Sequence, residues 1–272
     1  MMGPTRAPAW TVRRATMLLV TVATLLSLPD LSGGAVAGQA ALRVVAYNVK
    51  HGLGMDGEVD LARIASVLRP LYADVITLQE IDRGTARTDG VDQARRLAGM
   101  LGMTAHFGSF MPYDGGEYGM AVLTRLPVLA VENIRLPDGE EPRTVLDVRV
   151  AVGLEEQPVS VVGVHLYRTE EERLAQAGAM SDHFQGAEHP VILAGDFNSQ
   201  RGGPVLDLLT SRGWTIAEKT GDANTFPADA PAREIDFVMY RPEDALEVEE
   251  HYVIEESVAS DHRPLLFVAR FW

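Results

Sequence analysis

Residues 191–198 read Val-Ile-Leu-Ala-Gly-Asp-Phe-Asn, an apolar run that ends on an acid and an amide. An uninterrupted apolar run of this length is typical of a strand that is covered on both faces of its sheet. Asp196 and Asn198 stand at the end of the run, where a rigid scaffold can hold polar side chains toward a shared cleft. The segment therefore predicts a buried β-strand that presents a carboxylate and an amide to a functional site.

Similar strands and a smaller number of helices are expected along the rest of the chain. Further apolar, β-rich runs lie at 42–47, 75–78, 120–123, 145–152, 159–166, 235–240 and 265–271. Helical periodicity occurs at 60–68, 91–101, 170–184 and 204–209. Strands outnumber helices, and several neighbouring strands have no helix between them, which favours mixed sheets over an alternating β-α barrel. We predict an α/β fold, a four-layer α/β/β/α sandwich of two packed mixed sheets flanked by helices, in one domain at 38–272.

The N-terminal segment differs from the rest of the chain. Two arginines at 13–14 precede an apolar run at 15–28, and a tail of small residues ends in Ala-Val-Ala at 35–37. This is the order of a secretory signal peptide, and the run is shorter than the roughly 20 apolar residues of a transmembrane helix. We therefore expect a signal peptide at 1–37 and a periplasmic or secreted protein without a transmembrane segment after cleavage. An uncleaved anchor or a core helix is the alternative, and the Sec and twin-arginine routes both stay open.

The charge of the chain restricts its partners. The 272 residues carry a formal net charge of −14 and include no cysteine. An acidic surface repels polyanions, so we expect no stable nucleic-acid partner, although a metal-filled cleft can still cut one. The sequence also shows no cluster of lysines and arginines that would hold a highly phosphorylated headgroup. Because the chain contains no cysteine, an exported form of the protein does not rely on disulfides. We expect a monomer.

Polar residues at the strand ends are the candidates for chemistry. Carboxylates and amides with two histidines and no cysteine suit a hard cation such as Mg²⁺, whereas Zn²⁺ usually takes a His-rich or Cys-rich set. Neither a serine-hydrolase G-x-S-x-G elbow nor a nucleotide-binding P-loop occurs. Each residue alone also fits a turn, a helix cap or a buried structural position, so the joint pattern carries the prediction. The candidates are Asn48, Gln79-Glu80, His165, Asp196, Asn198, Asp236 and Asp261-His262.

Six segments with these residues resemble, in order, the motifs of the endonuclease/exonuclease/phosphatase superfamily. That superfamily includes pancreatic-type deoxyribonucleases, apurinic endonucleases, neutral sphingomyelinases and inositol-polyphosphate phosphatases. The resemblance spans nearly all of 38–272 and implies a catalytic domain there. The segments are Tyr47-Asn48-Val49, Leu78-Gln79-Glu80, Gly163-Val164-His165-Leu166, Leu193-Ala194-Gly195-Asp196-Phe197-Asn198, Ile235-Asp236-Phe237 and Ser260-Asp261-His262-Arg263-Pro264.

The resemblance implies a metal site at three of these residues. Glu80 resembles the carboxylate that holds the cation, Asn48 a metal ligand or phosphate donor, and Asp261 a further ligand. The cation implied is Mg²⁺, with Mn²⁺ as an alternative. Lys50 stands where apurinic endonucleases carry an acidic residue, which leaves the choice between one metal ion and two open.

The resemblance also implies catalytic roles. Asp196 resembles the residue that orients or deprotonates the attacking water, and Asn198 resembles the amide that steadies it. His165 resembles a hydrogen-bond donor to a phosphate oxygen. Asp236 resembles the carboxylate that pairs with His262.

Together these features predict an exported Mg²⁺-dependent phosphoesterase, most simply a phosphodiesterase, in which a metal assists the attack of water. The substrate is expected to be a phospholipid headgroup, a small phosphodiester or nucleic acid. A secreted nuclease and a non-catalytic binding protein that keeps the fold are the alternatives. Two further substrate-binding candidates are Tyr118, which follows a Gly115-Gly116 turn signal, and Arg143, which opens a strand.

Overall fold

The computed structural model describes residues 1–3 and 41–271. All helices and strands named below belong to the unit Ala37–Trp272. Apart from residues 1–3, the signal peptide expected at 1–37 lies outside the described residues and stays a prediction. Within the described part of the chain, no helix is both long and apolar enough to span a membrane.

The first sheet contains six strands around a central parallel pair. In spatial order the strands are Leu246–Val253 (β11), Leu265–Phe271 (β12), Ala41–Asn48 (β1), Val75–Arg83 (β2), Gly116–Thr124 (β4) and Thr104–Tyr113 (β3). Strands β1 and β2 are parallel, and every other neighbouring pair is antiparallel. A crossover that contains a helix therefore joins β1 to β2, as parallel neighbours require.

The second sheet repeats this plan. In spatial order its strands are Val128–Arg135 (β5), Thr144–Val152 (β6), Gln157–His165 (β7), Val191–Asp196 (β8), Asp236–Arg241 (β10) and Thr215–Ile216 (β9). Strands β7 and β8 form the parallel pair, and the other neighbours are antiparallel. Each sheet thus places the carboxyl ends of two parallel strands side by side at its centre.

Two helices cover the outer face of each sheet. The helices are Leu61–Leu68 (α1), Gln93–Leu101 (α2), Glu170–His183 (α3) and Pro204–Ser211 (α4). Asp60 caps α1 and Asp92 caps α2, since each side chain accepts a hydrogen bond from a backbone N–H in the first turn. One apolar core lies between α1, α2 and the first sheet, and a second lies between α3, α4 and the second sheet.

A third apolar core lies between the two sheets, so the four-layer α/β/β/α prediction is confirmed. The sheets approach closely near the middle, where Thr77 Oγ1 donates a hydrogen bond of 3.0 Å to the Ala194 carbonyl. At Gly195 a Cβ atom would lie 2.1 Å from the Val164 carbonyl oxygen and 2.7 Å from Gln79 Nε2. Only glycine fits there, because any side chain would push β8 away from its neighbours.

Four strands were not predicted from the sequence, namely β3, β5, β9 and β11. Each lies at a sheet edge; β3 and β11 lack a continuous apolar run, and β9 is only two residues long. Strand β5 does contain an apolar run at 128–131, but seven of its eight residues are exposed. An edge strand is held by its hydrogen-bonded neighbour and needs little burial of its own, so its sequence need not resemble that of a central strand.

Candidate active site

The first sheet contributes Asn48 and Glu80 from its parallel pair. Asn48 is the last residue of β1 and pairs in register with Gln79 of β2. Glu80 follows in a β-bulge, where the register shifts between Gln79 and Ile81, and its φ of 58° is left-handed. A bulge redirects the side chain of its extra residue. Asn48 Nδ2 accordingly donates a hydrogen bond of 3.1 Å to Glu80 Oε1.

The second sheet contributes His165, Asp196 and Asp236. His165 ends β7 and pairs in register with Asp196, which ends β8. Asp236 begins β10 and pairs with Asp196 from the other side. All three side chains are buried, and His165 Nε2 lies 3.6 Å from Asp196 Oδ2. The strand register therefore brings two carboxylates and an imidazole together where β7 and β8 end and β10 begins.

The two sets meet at Asn48. Its Nδ2 also donates a hydrogen bond of 3.2 Å to Asp196 Oδ2, so one amide joins Glu80 of the first sheet to Asp196 of the second. The loop after β11 adds His262, whose Nε2 lies 3.8 Å from the same Asp196 oxygen. Residues separated by more than 200 positions thus face one pocket.

His262 is held in the pocket by Asp236. Its Nδ1 lies 2.9 Å from Asp236 Oδ2, and the Phe226 ring packs against the imidazole at a centroid distance of 4.9 Å. Burial disfavours the charged imidazole, but the carboxylates of Asp236 and then Asp196 outweigh it and raise the pKa of His262 to about 10. His262 is therefore an imidazolium at neutral pH, with Nδ1–H donated to Asp236.

Asp196 is suited to accept a proton near neutral pH. Burial raises its pKa to about 7 and the Asp236 carboxylate adds to this rise, while His262 opposes it. Asn198 orients the group: its backbone N–H donates to Asp196 Oδ1 at 2.7 Å, and its side-chain amide donates to the Leu166 carbonyl at 2.9 Å. Asn198 therefore ties the loop after β8 to the end of β7 and holds Asp196 in place.

His165 is held uncharged by its surroundings. Burial lowers its pKa well below the usual value, and the positive charges of Arg143 and His262 lower it further. Its Nδ1 is buried and has no hydrogen-bond partner among the described residues. Nε2 is the ring nitrogen that faces Asp196, so it is the atom that could bond to a phosphate oxygen of a substrate.

Comparison with known proteins identifies the family of this chain. The model of the Endonuclease/Exonuclease/phosphatase family matches residues 45–262. The chain belongs to this family. The Escherichia coli K12 protein YbhP is 25% identical over 217 residues, which cover 75% of this chain and 86% of YbhP.

Solved structures of the family show the same fold. An endonuclease/exonuclease/phosphatase from Beutenbergia cavernae superposes with a TM-score of 0.68 at 24% identity, over 86% of this chain and 72% of that one. The mannosyl-6-phosphatase of Bacteroides thetaiotaomicron superposes with a TM-score of 0.67 at 18% identity, over 85% and 100%. The resemblance noted in the sequence is thereby confirmed at the level of the family and its fold.

Members of this family generally use a divalent metal, and Glu80 fits one. Within residues 41–271, no lysine, arginine or histidine nitrogen lies within 4.0 Å of its carboxylate. Burial raises the pKa of Glu80, and the nearby Asp261 charge adds to this effect in spite of the Asn48 hydrogen bond. A half-buried carboxylate without a cationic partner is suited to a hard cation.

The other possible ligands are already engaged with neighbours. Asp261 Oδ2 lies 2.8 Å from Lys50 Nζ, so an ammonium ion accompanies this carboxylate. Asp196, Asp236 and His262 have possible ligand atoms within 4.8 Å of one another, but His262 Nδ1 is bonded to Asp236. The metal-ligand role of Asp261 therefore stays a prediction.

Tyr118 and Arg143 form an aromatic and cationic wall beside Glu80. Tyr118 lies within β4 rather than in the turn before it, and its ring packs edge-on against Phe110 at 5.6 Å. Arg143 is buried with its guanidinium 4.9 Å from the Phe110 ring centroid and 5.2 Å from that of Tyr167. Burial and the Glu80 charge raise the pKa of Tyr118, which keeps its hydroxyl neutral.

Sequence reasoning missed a group of arginines next to this centre. A cavity of about 600 Å³ is lined by Asn198 and His262 together with Arg168, Arg173 and Arg233. The sequence shows no basic cluster, but folding brings these three side chains to one cavity. The only available signal was the position of Arg168 and Arg173 at the start of a helix soon after His165.

Proposed function

We propose that the protein is a divalent-metal-dependent phosphoesterase, most simply a phosphodiesterase, that acts outside the cytoplasm. One observation carries the proposal: the Asn48 amide joins Glu80 to Asp196 at 3.1 and 3.2 Å, with His165 and His262 both beside Asp196. In this proposal Glu80 binds the cation, Asp196 accepts a proton, and the two imidazoles contact the phosphate ester. The family match supports the reaction class, and the pattern at 1–37 supports export.

Glu80 would hold the metal, with Asn48 and Asp261 beside it. When bound, a divalent cation neutralises charge on the phosphate oxygens and favours attack by water. Lys50 supplies a second, fixed positive charge at Asp261, which favours an arrangement with a single metal ion.

The protein's own side chains then move the protons. Asp196 accepts a proton from the attacking water, for which a pKa of about 7 is well matched at neutral pH. The new P–O bond forms as the bond to the leaving oxygen breaks, and the His262 imidazolium gives that oxygen a proton. His165 donates a hydrogen bond to a non-bridging oxygen and stabilises the charge that develops there.

The proposal is tested by metal-dependent hydrolysis. EDTA-treated protein is assayed with bis-p-nitrophenyl phosphate and p-nitrophenyl phosphate in Mg²⁺ and Mn²⁺, followed by sphingomyelin, phosphatidylinositol, plasmid DNA, RNA and sugar phosphates. We expect activity only after metal is restored, with the diester preferred. The proposal would be overturned if no member of this panel were hydrolysed in a metal-dependent reaction.

A matched pair of variants links the activity to Glu80. Glu80→Gln removes the charge that binds the cation, so the Mg²⁺ concentration for half-maximal activity should rise by about 10- to 100-fold. Glu247→Gln, at an exposed position on β11, removes the same charge away from the site and should leave the metal dependence unchanged.

A further inference from the structure

The cavity beside the reaction centre contains more positive charge than the proposed chemistry uses. Asn198 and His262 form one side of it, so it opens directly onto the site. Arg168, Arg173 and Arg233 also line it, and none of them has a part in the proton transfers described above. In a chain with a net charge of −14, three guanidinium groups at one small cavity require an explanation.

These arginines are not neutralised by their neighbours. Within residues 41–271, no carboxylate oxygen lies within 4.0 Å of a nitrogen of Arg168, Arg173 or Arg233. Glu170 is the one carboxylate among the cavity's described lining residues. Arg173 lies partly buried, and its Nε has no hydrogen-bond partner in the described part of the chain. The cavity wall therefore keeps a net positive charge that can bind an anion.

Two further features of the wall favour an anion. Ser199 lines the cavity with 7% of its surface exposed, and its Oγ is buried without a hydrogen-bond partner among the described residues. Helix α4 begins at Pro204 on the same wall and has no side-chain cap at Gly203. Its first backbone N–H groups therefore lack a capping acceptor, and the helix dipole favours negative charge at this end.

We propose that the cavity is a second anion subsite, which binds a phosphate or carboxylate group on the organic part of the substrate. The inference rests on the proposed function, because the reacting phosphate is taken to lie at Asp196 and His262. It narrows the substrate class to small phosphate esters with at least one additional anionic group. Phe226 is already contacted by the Arg233 guanidinium at 4.6 Å and by His262, which favours charge recognition over ring stacking.

The subsite is tested by binding in the absence of turnover. Calorimetry of the full chain in EDTA compares glycerol 3-phosphate with 3-phosphoglycerate, which adds a carboxylate, and with 2,3-bisphosphoglycerate, which adds a carboxylate and a second phosphate. We expect the two compounds with additional anions to bind about 10-fold more tightly than glycerol 3-phosphate. The difference between them distinguishes a carboxylate subsite from a phosphate subsite.

Matched double variants locate the effect. Arg173→Gln with Arg233→Gln should abolish the preference, whereas Arg95→Gln with Arg96→Gln should retain it. The second pair removes the same charge from exposed positions on α2. Thermal unfolding checks that both double variants fold. If the Arg173/Arg233 variant does not fold, the single variant Arg168→Gln, at an exposed side chain, replaces it.

The outcomes separate this inference from the proposed function. Equal binding of all three compounds by the wild-type chain, or an unchanged preference in the Arg173/Arg233 variant, overturns the subsite even if metal-dependent hydrolysis is present. A preference that the variant loses, in a chain that hydrolyses nothing, supports the subsite and overturns the proposed function alone.

Discussion

Two buried histidines lie in contrasting regions of the sandwich. His262, at the pocket, bonds through Nδ1 to the Asp236 carboxylate, which together with Asp196 raises its pKa to about 10. His251, on β11 at the edge of the first sheet, bonds through Nδ1 to the Leu266 carbonyl at 2.8 Å and packs edge-on against Phe267. Burial lowers the pKa of His251 to about 4 despite that bond. The nature of the partner, rather than burial, therefore decides which histidine carries charge.

This contrast predicts different consequences of mutation in the two regions. Groups around His262 are held by electrostatic interactions, so substitutions there should change the reaction rate with little effect on folding. His251 is held by packing and a neutral hydrogen bond and should affect stability with little effect on the reaction. Substitutions at Asp196, Asp236 and His251 test this separation.

Asp196→Asn should have the largest effect. The amide has nearly the same shape but cannot accept a proton, so kcat should fall by roughly 10³- to 10⁴-fold. The measurement is steady-state hydrolysis in Mg²⁺, together with a thermal melt in which Tm stays close to that of the wild type. Near-normal turnover would remove Asp196 as the proton acceptor.

Asp236→Asn should have an intermediate effect and a distinctive pH dependence. Without the carboxylate the pKa of His262 falls, so the imidazolium is lost at lower pH. We expect kcat to fall about 10²-fold and the alkaline limb of the pH–rate profile to move to lower pH. If the profile of Asp236→Asn matches that of the wild type, the imidazole is a spectator.

His251 should have the smallest effect, and on stability alone. Its pKa is about 4 in the folded chain against 6.5 when unfolded, so between these values the unfolded chain binds a proton that the folded chain does not. Stability is thus complete above pH 6.5 and falls as pH decreases toward 4, by roughly 2 kcal/mol between pH 7 and pH 5.

The variant His251→Gln tests this account. Glutamine keeps an N–H donor for the Leu266 carbonyl but does not titrate over this range. The measurement is urea unfolding at pH 7 and pH 5. Between these pH values the variant should lose roughly 2 kcal/mol less of its free energy of unfolding than the wild type does, with kcat unchanged within about 2-fold. A full wild-type loss in the variant would assign the acid sensitivity to other groups.

Much of the fold was predictable because its centre is fully covered. The buried runs at 42–47 and 191–194 lie within β1 and β8, and the periodicity at 60–68 lies over α1. Strand β5 was missed although residues 128–131 are apolar, since it lies at a sheet edge against β6 and these side chains are exposed. Sequence patterns record burial, so they identify central strands better than edges.

The candidate site also contains some residues that could be predicted from the sequence and others that could not. Asp196 and His165 were predictable because each ends a buried strand, and parallel register then places them side by side. The arginine cavity was not, since Arg173 and Arg233 lie on separate segments and carry no motif. Arg143 is buried between two aromatic rings, and its position at the start of a strand does not indicate those contacts.

The bulge at Glu80 makes this carboxylate separable from the rest of its strand. Residues before and after it alternate regularly when Glu80 is left out: Leu78 and Ile81 both pack in the core on the helix side, and Gln79 lies between them facing the other sheet. Glu80 is thus a supernumerary residue in an otherwise complete strand. A one-codon deletion would remove the carboxylate and leave every other β2 side chain on its present face. If Glu80 binds the metal as proposed, deletion of this one residue would therefore abolish metal-dependent activity without changing the rest of the sheet.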